Sequence, residues 1–250
     1  MSDATPAPAS REVRAELLAP SELDAALAEA PVAYLPLGSL EFHGPHLPIG
    51  LDSLNAHGVC VGAAQRFGGI VLPTVYQGLG GGHTAYPWTI MVEAPYGVVA
   101  HLTTTLTRLE EFGVKTAVVF TGHFADEQLA MVDALAATWN EGERGMHVLA
   151  SGVNRCDTAP LAPDHAGVFE TTLLAAIAPE LVHLDLLPSA AEHPAIDPSG
   201  DVAGPQRHDP SHPLWGVFGP DPRGADLGLA PALYDHLVEW LGGLVRDGAR

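Results

Sequence analysis

The feature that most constrains this chain is a rhythm: short apolar runs alternate with longer stretches of helical apolar spacing. Residues 32–37 are a short apolar run of the kind that forms a buried strand, and residues 70–75, 114–121 and 147–150 repeat it. Between these runs lie predicted helices. Residues 21–30 carry Ser21 as a cap, Glu22 and Asp24 in the first turn, and Leu23 and Leu27 four apart. Residues 52–67 read as a helix stopped by Gly68 and Gly69. Val98, Leu102, Leu106, Leu109 and Phe112 fall at helical spacing, closed by Gly113. Residues 125–139 place Leu129, Val132, Leu135 and Trp139 on one face. Residues 170–177 form a helix stopped near Pro179, and residues 229–244 carry Leu233, Leu237, Trp240 and Leu244 at helical spacing.

Strand alternating with helix predicts an α/β fold, a mostly parallel sheet with helices on both faces. Neither an internal repeat nor a second core is visible. The expected organisation is a flexible tail at 1–12 and one domain at 13–250. Within that domain, 78–87 is a glycine-rich loop. Residues 188–223 are proline-rich and irregular, with His193, His208 and His212, and suit a lid or an oligomer contact.

Composition removes whole classes of function. Lys plus Arg is 11 against 30 Asp plus Glu, a formal net charge of -19. Such a chain lacks the basic face that replaces counterions on nucleic acid, and it is repelled by anionic lipid. The two cysteines, Cys60 and Cys156, make neither a disulfide framework nor a thiolate zinc site. The first residues hold no apolar signal region, and nowhere do 18 apolar residues run together, so a cytoplasmic location is expected.

Three clusters carry chemistry. After the first predicted strand the chain reads Gly38-Ser39-Leu40-Glu41-Phe42-His43-Gly44-Pro45-His46-Leu47-Pro48, then Asp52. Loops at the carboxyl ends of parallel strands form the ligand crevice. Glu41 and His43 are two apart, so an extended stretch projects them to one side. Imidazole with carboxylate is a ligand set for zinc, manganese or iron. Asp52 suits either a helix cap or a metal. The second cluster is His123 in Thr121-Gly122-His123-Phe124-Ala125-Asp126, at the end of the strongest strand. The third places His165 and Glu170 where a helix opens, with Asp164 available as its cap.

In this order and spacing the clusters resemble the creatininase family of amidohydrolases. Glu41 to Pro48 with Asp52 is similar to the family's Glu-x-His-Gly-x-His-Leu-Pro loop and its downstream Asp. Thr121-Gly122-His123 resembles Asn-Gly-His, and His165-Ala166-Gly167 with Glu170-Thr171 resembles His-Ala-Gly-x-x-Glu-Thr. Residues 80–89 and 216–222 are similar to a Gly/His loop before Pro-Gly-Thr and to a late Gly-Val-x-Gly-Asp-Pro loop. The resemblance implies a three-layer α/β/α sandwich and two divalent metals per chain, zinc, manganese or iron. It also implies a homo-oligomer, frequently a hexamer. It assigns Glu41 and His123 to one metal and His43 to the other, with Asp52 bridging. Glu170 completes the second site or orients its water, His165 transfers a proton, and His46 supports the loop.

Ala125 stands where creatininase has a metal-binding Glu, which argues against creatinine as substrate, and Asp126 beside it would reach the centre only if the loop shifted. Thr121 replaces Asn, and Trp88 replaces Gly, a change expected to narrow the pocket. The function implied is hydrolysis of a non-peptide C–N bond in a small cyclic or linear amide by metal-activated water. Alternatives are a deformylase or peptide-trimming enzyme in cofactor biosynthesis, or an inactive scaffold. The motif loops hold no Lys or Arg, which disfavours a phosphorylated substrate, and Arg155 and Arg207 are the nearest residues able to reverse that. Specificity is expected from His83, Tyr86, Trp88 and Phe124.

Overall fold

The computed structural model describes residues 11–81, 85–194 and 205–248. In chain order the elements are α1 (Pro20–Glu29), β1 (Val32–Leu37), α2 (Leu51–Phe67), β2 (Ile70–Val71), β3 (Gly78–Leu79), β4 (Met91–Val92), α3 (Tyr96–Glu111), β5 (Thr116–Thr121), α4 (Asp126–Asn140), β6 (His147–Gly152), α5 (Val168–Ile177), α6 (Pro205–His208) and α7 (Ala230–Gly248). The central sheet has the order β2-β1-β5-β6 with every pairing parallel, and β3 and β4 form a separate parallel pair.

Successive strand side chains point to opposite faces, and each face is apolar here, as a sheet covered on both sides requires. Ala33, Leu35 and Leu37 of β1 join Ala117 and Val119 of β5 in a core closed by α1, α3 and α4. Tyr34, Val118 and Phe120 face the other way, into a core closed by α2, α5 and α7. The result is the expected three-layer α/β/α sandwich. A third cluster, with Leu47, Leu51, Leu174, Leu214 and Val217, ties the loop after β1 to α5 and to the segment after α6.

Several local expectations shift. The run at 70–75 pairs as a strand only over β2; Pro73 lacks an N–H for the ladder, and Val75 returns as a single bridge to Leu37. The glycine-rich stretch contains β3. Ser21 does not cap α1: Pro20 takes the first helical position, which its fixed φ suits, and the Glu22 carboxylate accepts from the Ala19 N–H at 2.8 Å. Phe112 lies off the buried face of α3, 61% exposed. Of the expected tail, residues 1–10 lie outside the described residues, whereas Arg11 pairs with Glu29 and Glu12 with Arg14. The segment 188–223 is not wholly irregular, since it contains α6; residues 195–204 lie outside the described residues. Among the described residues no helix is long and apolar enough to cross a membrane.

Candidate metal centre

From β1 the chain proceeds to β2 on one side, and later to β5 on the other, so the strand order reverses between β1 and β5. In open α/β sheets ligands bind in the crevice beyond such a reversal. Here the start of α2 is drawn into it. A Cβ at Gly38, after β1, would lie 2.3 Å from the Ser53 nitrogen, and one at Gly122, after β5, 1.9 Å from the Asp52 carbonyl oxygen. Only glycine permits either approach, and together they bring Asp52 to the ends of both strands.

The cap reading of Asp52 is therefore wrong. The residue preceding α2 is Gly50, and Asp52 sits inside the first turn, 1% exposed, with its carboxylate turned to the crevice. Around it gather Glu41, His43, His123 and Glu170, all buried. They form two groups able to hold a cation that share Asp52, Glu41/Asp52/His123 and His43/Asp52/Glu170, and Glu41 and His43 form a third with His165. Asp52 divides its oxygens between the first two. Oδ1 is 3.2 Å from His43 Nε2, and Oδ2 is 3.2 Å from His123 Nδ1. Glu41 Oε2 is 3.0 Å from His123 Nδ1, and Glu170 Oε2 is 3.5 Å from His43 Nε2. Ligands about 2.1 Å from one ion at tetrahedral angles are roughly 3.4 Å apart, so these spacings suit a shared cation. Glu41 and His43, expected on one side, do come together with His165 in a third group, and each also serves a different one of the two groups that share Asp52.

The surrounding bonds orient the donors. His43 Nδ1 donates to the Glu41 carbonyl at 2.9 Å, which turns Nε2, without a hydrogen-bond partner of its own, toward Asp52 and Glu170. A ring nitrogen fixed in this way is the usual support for a metal-binding imidazole. Ser39 Oγ donates to Asp52 Oδ2 at 2.5 Å, and Thr121 Oγ1 donates to the His123 carbonyl at 2.7 Å. His46 supports the loop, its Nε2 lying 3.2 Å from Thr171 Oγ1. The loop is also pinned from outside by the Phe42 N–H bond to Thr89 Oγ1 at 3.0 Å.

Three buried carboxylates demand positive charge. Burial favours neutral His43, but Asp52, Glu170 and Glu41 outweigh it and push the imidazole up to about 10. His123 is pushed up to about 10 by Asp52 and Glu41, also against burial. Burial raises Asp52, yet the two imidazoles hold it well below the usual carboxylate range. Glu170 goes the other way, raised well above its ordinary value by burial. Protons on the imidazoles and divalent cations between neutral imidazoles are alternative ways to balance the same carboxylates.

Glu170 enters from the first turn of α5. Its Oε2 accepts from the Ala166 N–H at 2.6 Å, and Ala166 adopts φ +55°, the left-handed region disfavoured for a residue with a Cβ. Asp164 is the cap: its oxygens accept from Gly167, Phe169 and Glu170 N–H groups at 2.8–3.3 Å. His165 is half-buried beside the centre, its ring 4.4 Å from that of His43 and stacked on Phe218 at 5.0 Å. Its Nε2 donates to the Phe42 carbonyl at 3.2 Å.

Above the centre is a cavity of about 510 Å³, lined by Glu41, Asp52, His123, His165 and Glu170 together with Phe124, Ala125, Asp126, Arg207 and Phe218. Ala125 supplies no ligand atom, and both groups form without it; Asp126 lines the wall but joins neither. Trp88 does not narrow this cavity. It is 79% exposed, at φ +59°, a conformation that suits the glycine it replaces. Tyr86 is buried against Phe42 and Trp215, and His83 lies outside the described residues. Arg155 is committed to Asp133 elsewhere, whereas Arg207 lines the cavity. The supporting roles of Ser39 and Phe218 had no signal in the sequence beyond their places inside the motif loops.

The family model for creatininase, described as creatinine amidohydrolase, matches residues 16–245. The chain is 29% identical over 198 residues to creatinine amidohydrolase of Pseudomonas putida, across 68% of this chain and 73% of that protein. It is 30% identical over 163 residues to the mycofactocin precursor peptide peptidase of Mycolicibacterium smegmatis, across 63% of this chain and 62% of that one. A crystal structure of creatininase superposes with a TM-score of 0.74 at 23% identity, over 94% of this chain and 97% of the other, which establishes a common fold. Other solved creatininases of that fold are named as Zn–Zn and Mn forms.

Proposed function

This chain belongs to the creatininase family of metal-dependent hydrolases acting on C–N bonds, and from that premise we propose that it hydrolyses a non-peptide C–N bond in a small cyclic or linear amide. The observation that carries the reading is the pair of buried His/carboxylate groups sharing Asp52 at the floor of an open cavity. Glu41, Asp52 and His123 would hold one divalent ion, and His43, Asp52 and Glu170 the other. Zinc, manganese and iron all suit these donors, and relatives named for zinc and manganese support the first two. Such ions supply acidified water and a polarised carbonyl.

The protein's own groups do the rest. Glu170, oriented by the Ala166 N–H, completes its group and directs the water toward the carbonyl carbon. His165 holds its Nε2–H on the Phe42 carbonyl, which orients the ring beside the centre to carry a proton to the departing amine. Phe124 and Phe218 supply apolar wall beside the reacting groups. A peptide-trimming reaction is the second reading, favoured by the likeness to a precursor peptide peptidase. A homo-oligomer acting in the cytoplasm is part of the proposal. The exposed Trp88, Ile90 and Tyr96 side chains support it as apolar surface for a second copy to cover.

The test is turnover of cyclic amides, formamides and short peptides by the zinc- or manganese-loaded protein. We expect turnover in one of these classes that chelation abolishes and metal restores. Turnover that persists unchanged after complete metal removal would overturn the proposal.

A further inference from the structure

The wall of the cavity carries one permanent positive charge among its described residues, Arg207. Its position is prepared by its own backbone. The Arg207 carbonyl accepts from Tyr86 Oη at 2.7 Å and from Trp215 Nε1 at 3.3 Å, while the flanking Gln206 side chain donates to the Val217 carbonyl at 3.0 Å. The guanidinium lies over the Phe218 ring at 4.8 Å. Phe218 stacks on His165, and His165 lies against His43. A ladder of planar groups in contact thus runs from the guanidinium to the metal centre, with steps of 4.4–5.0 Å.

Arg207 Nη2 also reaches the Gly81 carbonyl at 3.5 Å, so one role is to steady that loop. A guanidinium has five donors and serves more than one partner at a time. We propose that Arg207 binds a carboxylate of the substrate, several bonds from the scissile amide, so that the substrate is an extended anionic amide. The proposal rests on the metal-centre reading and deepens it. A small neutral cyclic amide at the metals would not span the ladder. A carboxylate matches the single planar fork, whereas a phosphate dianion would meet Asp126 and Glu127 on the same wall with one arginine to offset them.

The experiment is calorimetric binding to the zinc-loaded protein, after its metal content has been measured. The probes are hexanohydroxamic acid, which reads the metal centre alone, and the monohydroxamic acids of succinic, adipic and suberic acids, which add a carboxylate at increasing reach. We expect the carboxylate to tighten binding about tenfold or more at one reach. Arg207→Ala should reduce that gain to about twofold or less and Arg207→Lys should keep part of it, with the neutral probe changing little in either. An unchanged gain in Arg207→Ala, or none in the unaltered protein, overturns the proposal. So does equal loss for neutral and carboxylated probes, which marks Arg207 as a loop support only, and so does a phosphonate arm that gains more than the carboxylate. A zinc-loaded protein that binds no hydroxamate overturns the metal-centre reading, and this inference with it.

Discussion

The two halves of the centre are matched in donors and unlike in support. Each offers one imidazole, one glutamate and a share of Asp52. The Glu41/His123 half takes Glu41 from the loop after β1, which also carries His43, and His123 from just beyond β5, and it is braced by Ser39 and Thr121. The His43/Glu170 half hangs on a loop and on the first turn of α5, where a left-handed Ala166 aims its N–H at Glu170. The lesson is that equal ligands need not bind equally, since a donor's precision comes from the element that carries it. The half braced by Ser39 and Thr121 should hold its ion more tightly than the half completed from α5.

The largest effect tests what the halves share. Asp52→Ala should empty both positions and bring turnover to background; metal analysis that still finds one tightly held ion would mean Asp52 does not bridge. Next come the single-half variants. His43→Ala should retain about one ion per chain, and His123→Ala should retain one that a chelator strips more readily. Chelator titrations followed by metal analysis check this, and the reverse ranking would break the comparison. Smaller still, Ser39→Ala removes the bond to the oxygen of Asp52 facing His123, and should weaken the tighter ion about 10–100-fold while leaving the other nearly unchanged.

The last effect concerns protons. The carboxylates around His43 and His123 push both up to about 10 and so favour their protonated forms before metal arrives, whereas ligation needs them neutral. Loading should release protons from Glu170 as well as from the two imidazoles, and apparent affinity should rise with pH. Binding enthalpies compared across buffers of different ionisation enthalpy measure the release. No release would mean that the imidazoles stay protonated and are not ligands.

Much of this was legible in the sequence because β1 and the apolar faces of α3 and α7 follow simple periodicities. The bounds of β1 were readable to the residue. The convergence of Glu41, His43, Asp52, His123 and Glu170 was also legible, because each stands in a motif at a strand or helix end. What was not legible depends on distant contacts. The shortening of β2 follows from Pro73, but the pairing of β3 with β4 across a glycine-rich loop has no local signature. Trp88 looked like a pocket residue by its place in a motif, and only the backbone turn shows it pointing outward. Arg207 lies in a proline-rich stretch with no periodicity, and its place on the cavity wall comes from the bonds of Tyr86 and Trp215 to its carbonyl.

The central claim is a pair of metal positions joined by Asp52. Elemental analysis of the unaltered chain, loaded with zinc or manganese and freed of loosely bound ions, tests it most directly. The account predicts about two divalent ions per folded chain; a folded chain that stays at one or none contradicts it.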